Sequence, residues 1–273
     1  MEQWRDKVAI VTGASAGIGA AIVVKLAKSG VHVAALARRG NLLKELADSL
    51  TDKDYGPIYT KVCDVTNEQA VKDVFSWVDS TLGGPSILIN NAGISKSLNI
   101  KYCFCDKDGK LEVWQETLNL NVPALSVCSR EAYKSMTKNK IDGHIVQINS
   151  NIAHCLTPYF GLKMYNASKK AVMVLCDGLR HELQLMGSKI KVSSINPGSV
   201  ATDMLADIVK IMTDRPTINI TILDVEDVAN AVITSLATPP NVLIAEMTII
   251  PTGSLIQNHL QPSAEVVQNA MNL

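Results

Sequence analysis

Seven residues, Gly13-Ala14-Ser15-Ala16-Gly17-Ile18-Gly19, separate an apolar run from a stretch patterned as a helix, and they restrict the fold more than any other segment. Val8-Ala9-Ile10-Val11 is continuously apolar, as a parallel strand buried on both faces must be, and Ile18 through Lys28 repeats apolar residues at helical spacing. The chain must therefore turn sharply from strand to helix within the glycines. Glycine permits close backbone approach, and a helix N-terminus presents unpaired N–H groups and a positive dipole end. A phosphate of a dinucleotide suits such a turn. The spacing Gly-x-x-x-Gly-x-Gly differs from Gly-x-Gly-x-x-Gly, and the same glycines would also serve helix-strand packing alone.

Apolar β-branched runs alternate with helical patterns along the rest of the chain. Strands are predicted at Val8–Thr12, Val31–Leu36, Ile58–Cys63, Ile87–Asn90, His144–Ile148, Lys191–Asn196 and Val242–Ile249. Helices are predicted at Ile18–Lys28, Leu42–Leu50, Asn67–Leu82, Leu111–Thr137, Met164–Met186 and Val225–Leu236. This alternation implies an α/β fold with a doubly wound parallel sheet covered by helices on both faces. Asp224, with Glu226 and Asp227 in the next turn, marks a helix start, and Thr66 with Gln69 offers a capping box. Residues 97–110 and 203–223 break the pattern, as segments bordering a site often do. No linker divides the chain, so one domain is expected over residues 1–253, followed by a tail at 254–273.

Lys plus Arg and Asp plus Glu both number 26, which leaves no net field for nucleic acid or an anionic membrane. A small molecule is the expected partner. No apolar run reaches the length of a membrane span, and the N-terminus carries no targeting pattern. Six cysteines show no disulfide framework, and Cys103-Phe104-Cys105 is too tight for zinc. A cytoplasmic protein with reduced thiols and no metal is the expectation.

Several polar residues fall at the carboxyl ends of the predicted strands, where open parallel sheets bind ligands. Ala37-Arg38-Arg39 follows the second strand, where an NAD-preferring site would carry Asp or Glu. Arginine there can pair with a ribose 2′-phosphate, so NADP(H) is favoured over two merely solvated arginines. Asp64-Val65 follows the third strand, with Asp64 placed either to accept from an adenine amino group or to cap a helix. Asn90-Asn91-Ala92-Gly93 ends the fourth, where the amides can tie strand ends and Gly93 permits close approach. Tyr165 and Lys169 share one helix face, and Ser150 stands fifteen residues before Tyr165 at the end of the fifth strand. Ser and Tyr hydroxyls holding a carbonyl, with a hydride from a nicotinamide, make a complete reduction chemistry. A neighbouring ammonium and an oxidised nicotinamide would lower the Tyr165 pKa from its ordinary value of about 10.

Taken together, Thr12-Gly13-Ala14-Ser15-Ala16-Gly17-Ile18-Gly19, Asp64-Val65, Asn90-Asn91-Ala92-Gly93, Ser150, Tyr165 with Lys169, and Pro197-Gly198 resemble the motifs of the classical short-chain dehydrogenases/reductases, in their order. The resemblance implies a single Rossmann-type domain with a seven-stranded parallel sheet. It implies Tyr165 as acid/base, Ser150 as substrate positioner, Lys169 as ribose ligand and Tyr tuner, and Asn121 as holder of a proton-relay water. Asn121 is preferred to Asn119 because Val122 follows it. Pro197-Gly198-Ser199-Val200-Ala201-Thr202 resembles the segment that holds the nicotinamide amide, through Val200 and Thr202, which makes 203–223 a substrate lid. The resemblance further implies pairing of the two longest helices in a homodimer or homotetramer.

Met1-Glu2-Gln3-Trp4, Ala37-Arg38-Arg39, Ser129-Arg130-Glu131-Ala132-Tyr133, Gly143-His144-Ile145 and Ile148-Asn149-Ser150 are similar to the farnesol dehydrogenase branch of that family. A farnesol-like terpenoid is the first substrate expectation, and a ketosteroid or other carbonyl the second; a catalytically idle cofactor-binding scaffold is a third reading. Leu156, Tyr159, Phe160, Leu162, Met204, Leu205, Ile208 and Met212 are candidates for an apolar pocket, or for ordinary core or dimer packing. The chain departs from the family in the longer spacing from Ser150 to Tyr165 and in Ala153-His154, where a glycine is frequent. His154 is assigned a structural rather than a catalytic role.

Overall fold

The apolar runs fold as β1 (Val8–Thr12), β2 (His32–Ala37), β3 (Ile58–Val62), β4 (Ile87–Asn90), β5 (His144–Ile148), β6 (Lys191–Pro197) and β7 (Glu246–Ile249). They form one parallel sheet in the order β3-β2-β1-β4-β5-β6-β7 in the computed structural model, which describes residues 1–95, 110–154, 162–205 and 222–252. The helices are α1 (Gly17–Lys28), α2 (Gly40–Asp48), α3 (Glu68–Leu82), α4 (Leu111–Asn119), α5 (Leu125–Lys138), α6 (Lys163–Leu185) and α7 (Val225–Leu236). β1 lies between β2 and β4, with Val11 beside Ala35 on one side and Ile89 on the other. The order of connection reverses there, which opens a crevice at the carboxyl ends of β1 and β4.

Both faces of the central strands are buried, which explains the unbroken apolar runs of β1 and β2, whereas the edge strands β3 and β7 are partly exposed and carry polar residues. Ala9, Val11, Ile89 and Val146 pack with residues of α1 and α7, including Ile22, Leu26, Val228 and Val232. Val8, Ile10, Leu88 and Ile145 pack on the other face with Val74 and Val78 of α3 and Cys128 and Met136 of α5. Ile10, Leu88 and Ile145 are fully buried, and side chains of this kind each contribute about 1.5–3 kcal/mol to folding. Trp4 closes the lower edge by donating its indole N–H to the Leu236 carbonyl at 2.7 Å.

Local chemistry moves several element ends from their expected positions. β7 begins at Glu246 rather than Val242: Lys191 Nζ takes Val242 O and Ser193 Oγ takes Ile244 O, while Ala245 O, just before the strand, accepts from both Ser194 N–H and Arg180 Nη1. Asn67, not Thr66, caps α3 by accepting from Ala70 N–H at 3.1 Å. Thr66 is engaged elsewhere, since both its N–H and its hydroxyl donate to Asp64 Oδ1. The helix expected at 111–137 is interrupted by a π turn, Leu120–Ala124, which contains Pro123. Proline lacks an N–H and crowds the preceding turn, so a widened turn relieves both problems. Asp224 starts α7 as expected, with a reciprocal capping box to Asp227. The tail at 254–273, Asp106-Lys107-Asp108-Gly109, Cys103, Cys105 and Cys155 lie outside the described residues; Cys63, Cys128 and Cys176 are buried free thiols.

Candidate active site

The glycine turn after β1 presses against the end of β4. Gly13 has φ 66°, and a Cβ there would stand 2.9 Å from the Ala92 Cα; a Cβ on Gly19 would stand 2.3 Å from the Gly13 carbonyl oxygen. Only glycine fits either position. Asn91 fastens the approach by donating its side-chain N–H groups to Thr12 O at 3.0 Å and Gly13 O at 3.1 Å. Thr12 Oγ1 in turn accepts from the Asn91 and Ala92 backbone N–H groups. The Asn91 side chain thus ties two strand ends, as its residue type suggested. Asn90 is drawn below, donating to Ser129 Oγ at 2.9 Å.

This cradle fits an anionic nucleotide. The first turn of α1, from Ala16 through Gly17, Ile18 and Gly19, has neither a side-chain cap nor an acidic residue. Arg39 Nε donates to Ser15 Oγ at 3.2 Å, which places one guanidinium on the glycine turn itself. Arg38, also exposed, faces Asp64. Burial raises the Asp64 pKa, but the two Thr66 hydrogen bonds and the Arg38 charge outweigh it and hold the carboxyl below its ordinary value. Val65 lines a narrow crevice with Thr12, Asn90, Ala92, Leu120 and Leu125, at the switch point between β1 and β4.

On the other side of that point the fifth strand, a short turn and α6 bring three side chains together. Ser150 caps a turn at Asn151–Ala153 and is a hydrogen-bond partner of the Tyr165 hydroxyl. Lys169, one helical turn beyond Tyr165, is buried and donates to Ile148 O at 2.9 Å, with Nζ 5.7 Å from the Tyr165 ring centre. Burial lowers the Lys169 pKa from 10.5 to about 8. Burial pushes the Tyr165 pKa from 10.0 up to about 12, with the Ser150 hydrogen bond opposing; the lowering expected of an oxidised nicotinamide belongs to the cofactor-bound state. Desolvation of the phenolate therefore outweighs the favourable groups around it in this arrangement.

Asn121 sits in the π turn and is 2% exposed, whereas Asn119 faces solvent. Its amide accepts from Ile94 N–H and donates to Ile94 O, both at 2.9 Å, and donates to Ser168 Oγ at 3.0 Å. Ser168 passes the connection on to the Tyr165 carbonyl at 2.7 Å. A Cβ on Gly93 would lie 3.3 Å from Asn121 Oδ1, so Gly93 and Asn121 stand side by side.

The segment after β6 is held at both ends. Gly198 N–H donates to Ile249 O at 2.8 Å, following Pro197, and Val200 pairs with Leu223. The Thr202 side chain lies over Gly17, where a Cβ would be 3.2 Å from Thr202 Cγ2. The two ends of the 203–223 stretch therefore meet beside the glycine turn; residues 206–221 lie outside the described residues. Of the pocket candidates, Leu162 and Leu205 are buried and Met204 is half-buried, while Leu156, Tyr159, Phe160, Ile208 and Met212 lie outside the described residues. Ser168 and Asn196 were not singled out for the site by sequence, and Thr12 entered only as the head of the glycine motif, without a role. The signal for Ser168 and Asn196 was adjacency to Lys169 and Pro197.

The family model for short chain dehydrogenase matches residues 7–212. Farnesol dehydrogenase of Aedes aegypti is 40% identical over 253 residues, covering 93% of this chain and 99% of that protein. Dehydrogenase/reductase SDR family member 11 of Bos taurus is 39% identical over 257 residues, covering 92% of this chain and 98% of that protein. Among solved structures, the closed form of serine dehydrogenase complexed with NADP⁺ superposes with a TM-score of 0.78 at 28% identity, covering 94% of this chain and all of that one.

Proposed function

The chain belongs to the short-chain dehydrogenase/reductase family of oxidoreductases, and from that premise we propose an NADP(H)-dependent enzyme that interconverts an apolar alcohol and its carbonyl. A farnesol-like terpenoid is the leading substrate. The observation that carries the chemistry is the Ser150–Tyr165 hydrogen bond, with Lys169 5.7 Å from the phenol ring. Similarity to a farnesol dehydrogenase supports the substrate class and its apolar character.

NADP(H), when bound, supplies or takes up the hydride. The turn from Gly13 to Gly19 and the first N–H groups of α1 would hold its pyrophosphate. Arg39, fixed on Ser15, and Arg38 would take the 2′-phosphate, and Asp64 and Val65 would meet the adenine. Asn91, Ala92 and Gly93 would flank the cofactor from β4, and Pro197, Gly198, Val200 and Thr202 from β6. Lys169 would bind ribose hydroxyls. In the reductive direction Ser150 donates a hydrogen bond to the carbonyl oxygen and Tyr165 gives that oxygen its proton; in the oxidative direction Tyr165 takes the proton back. Asn121 would hold a proton-relay water, and through Ser168 it is tied to the Tyr165 backbone carbonyl. Exposed apolar residues on α6, Val174, Leu175 and Leu185, support assembly through this helix as a homodimer or homotetramer.

The test is incubation with NADP⁺ and a panel of terpenols and hydroxysteroids, followed by nicotinamide absorbance. Terpenol oxidation exceeding that of hydroxysteroids is expected. Silence across the panel, with cofactor bound, would instead favour an idle scaffold.

A further inference from the structure

Two neighbouring residues of β6 grip the two ends of the turn that carries Ser150. Ser150 Oγ lies 3.5 Å from Pro197 O, and His154 Nε2 lies 3.2 Å from Asn196 Nδ2. Asn196 is fully buried, and its Oδ1 accepts from Ser194 Oγ at 2.7 Å, which directs its N–H toward His154. A neutral His154 therefore accepts on Nε2 and carries its proton on Nδ1. The same nitrogen lies 3.7 Å from Glu246 Oε2 on β7. From α6, Lys170 Nζ donates to Ala153 O at 3.1 Å.

We propose that His154 is a positioning residue for Ser150, whose neutral ring clamps the Ser150 turn to Asn196 and whose protonation exchanges that clamp for Glu246. The proposal rests on the oxidoreductase reading, since Ser150 must hold a substrate oxygen for its placement to matter. Protonated Nε2–H would face the Asn196 N–H, donor against donor, while the Glu246 carboxylate draws it toward β7. Other groups on this side are Ser194 of β6, which is neutral, and Lys170, Cys176, Asp177 and Arg180 of α6. Arg180 is paired with Asp177, and Lys170 opposes a second positive charge nearby. The turn thus has two anchors on adjacent strands, and proton uptake selects between them. The glycine turn at β1 is not part of this linkage, and the one cofactor-flanking residue that is, Pro197, meets Ser150 through its carbonyl at 3.5 Å, so the effect falls first on the step that uses Ser150.

The experiment compares kcat, KM and NADPH affinity for wild type, His154→Gln, His154→Ala and Glu246→Gln from about pH 5 to about pH 9. His154→Gln offers an acceptor to Asn196, so its kcat should stay within about twofold of wild type at alkaline pH, with a weaker fall on the acid side. His154→Ala should lose about tenfold in kcat with NADPH affinity unchanged. Glu246→Gln should shift the acid limb and leave the alkaline plateau alone. His154→Ala with wild-type kcat and pH profile would overturn the proposal. Nitrogen NMR of the cofactor-free protein gives a readout independent of turnover: the neutral His154 ring should be protonated on Nδ1, and a ring protonated on Nε2 would overturn the clamp. An inactive wild type would sink the oxidoreductase reading, and the NMR result would still decide the clamp.

Discussion

Lys169 Nζ donates to the Ile148 carbonyl at 2.9 Å and stands 5.7 Å from the centre of the Tyr165 ring, so one buried ammonium joins the end of β5 to the phenol on α6. Burial lowers its pKa from 10.5 to about 8. A lysine depressed in the folded state costs stability, fully below about pH 8, and the cost fades as pH rises toward the unfolded value. The magnitude is about 3 kcal/mol. Lys169→Met is expected to lose cofactor affinity and turnover by at least about tenfold while unfolding at no lower temperature than wild type at neutral pH. Thermal denaturation paired with NADPH titration checks both halves.

Arg39 reaches the glycine turn at Ser15, and Arg38 leans toward Asp64. Charge-assisted hydrogen bonds to a phosphate are worth about 1.5–3 kcal/mol. Arg39→Ala should therefore weaken NADP(H) binding by about tenfold to a hundredfold and leave NAD(H) nearly unchanged. The ratio of the two dissociation constants, in wild type and variant, is the measurement.

His144 is fully buried, with Nε2 2.8 Å from Ser193 Oγ. Burial, reinforced by the Lys191 charge, lowers its pKa from 6.5 to about 3. The unfolded chain thus binds a proton that the folded chain refuses, and stability falls as pH drops below about 6.5. At pH 5 the loss amounts to about 2 kcal/mol. Denaturant unfolding at pH 7 and pH 5 should show this loss in wild type and a smaller one in His144→Gln.

The core strands were legible because a strand buried on both faces leaves no room for polar alternation; β1 is buried at every position. Asp224 was legible because its capping partner lies three residues away. Asn91 was legible as a tie between strand ends because an amide after an apolar strand has backbone groups to satisfy. What sequence missed depends on distant partners. The carbonyls before β7 are taken by Arg180, Lys191 and Ser193. The link from His154 spans 42 residues to Asn196. The upward shift of Tyr165 comes from the protein groups the fold gathers around the phenol, and no spacing of Tyr, Ser and Lys encodes them.

The phenol of Tyr165, raised to about 12, stays protonated through the neutral range and keeps a proton for the substrate oxygen. The most direct test of this assignment is steady-state turnover of Tyr165→Phe beside wild type on a terpenal with NADPH, with NADPH affinity measured on the same samples. A fall in kcat of about 10²–10⁴-fold, the range for loss of a general acid, is expected, with NADPH affinity within about twofold of wild type. Turnover by Tyr165→Phe close to the wild-type rate would contradict it.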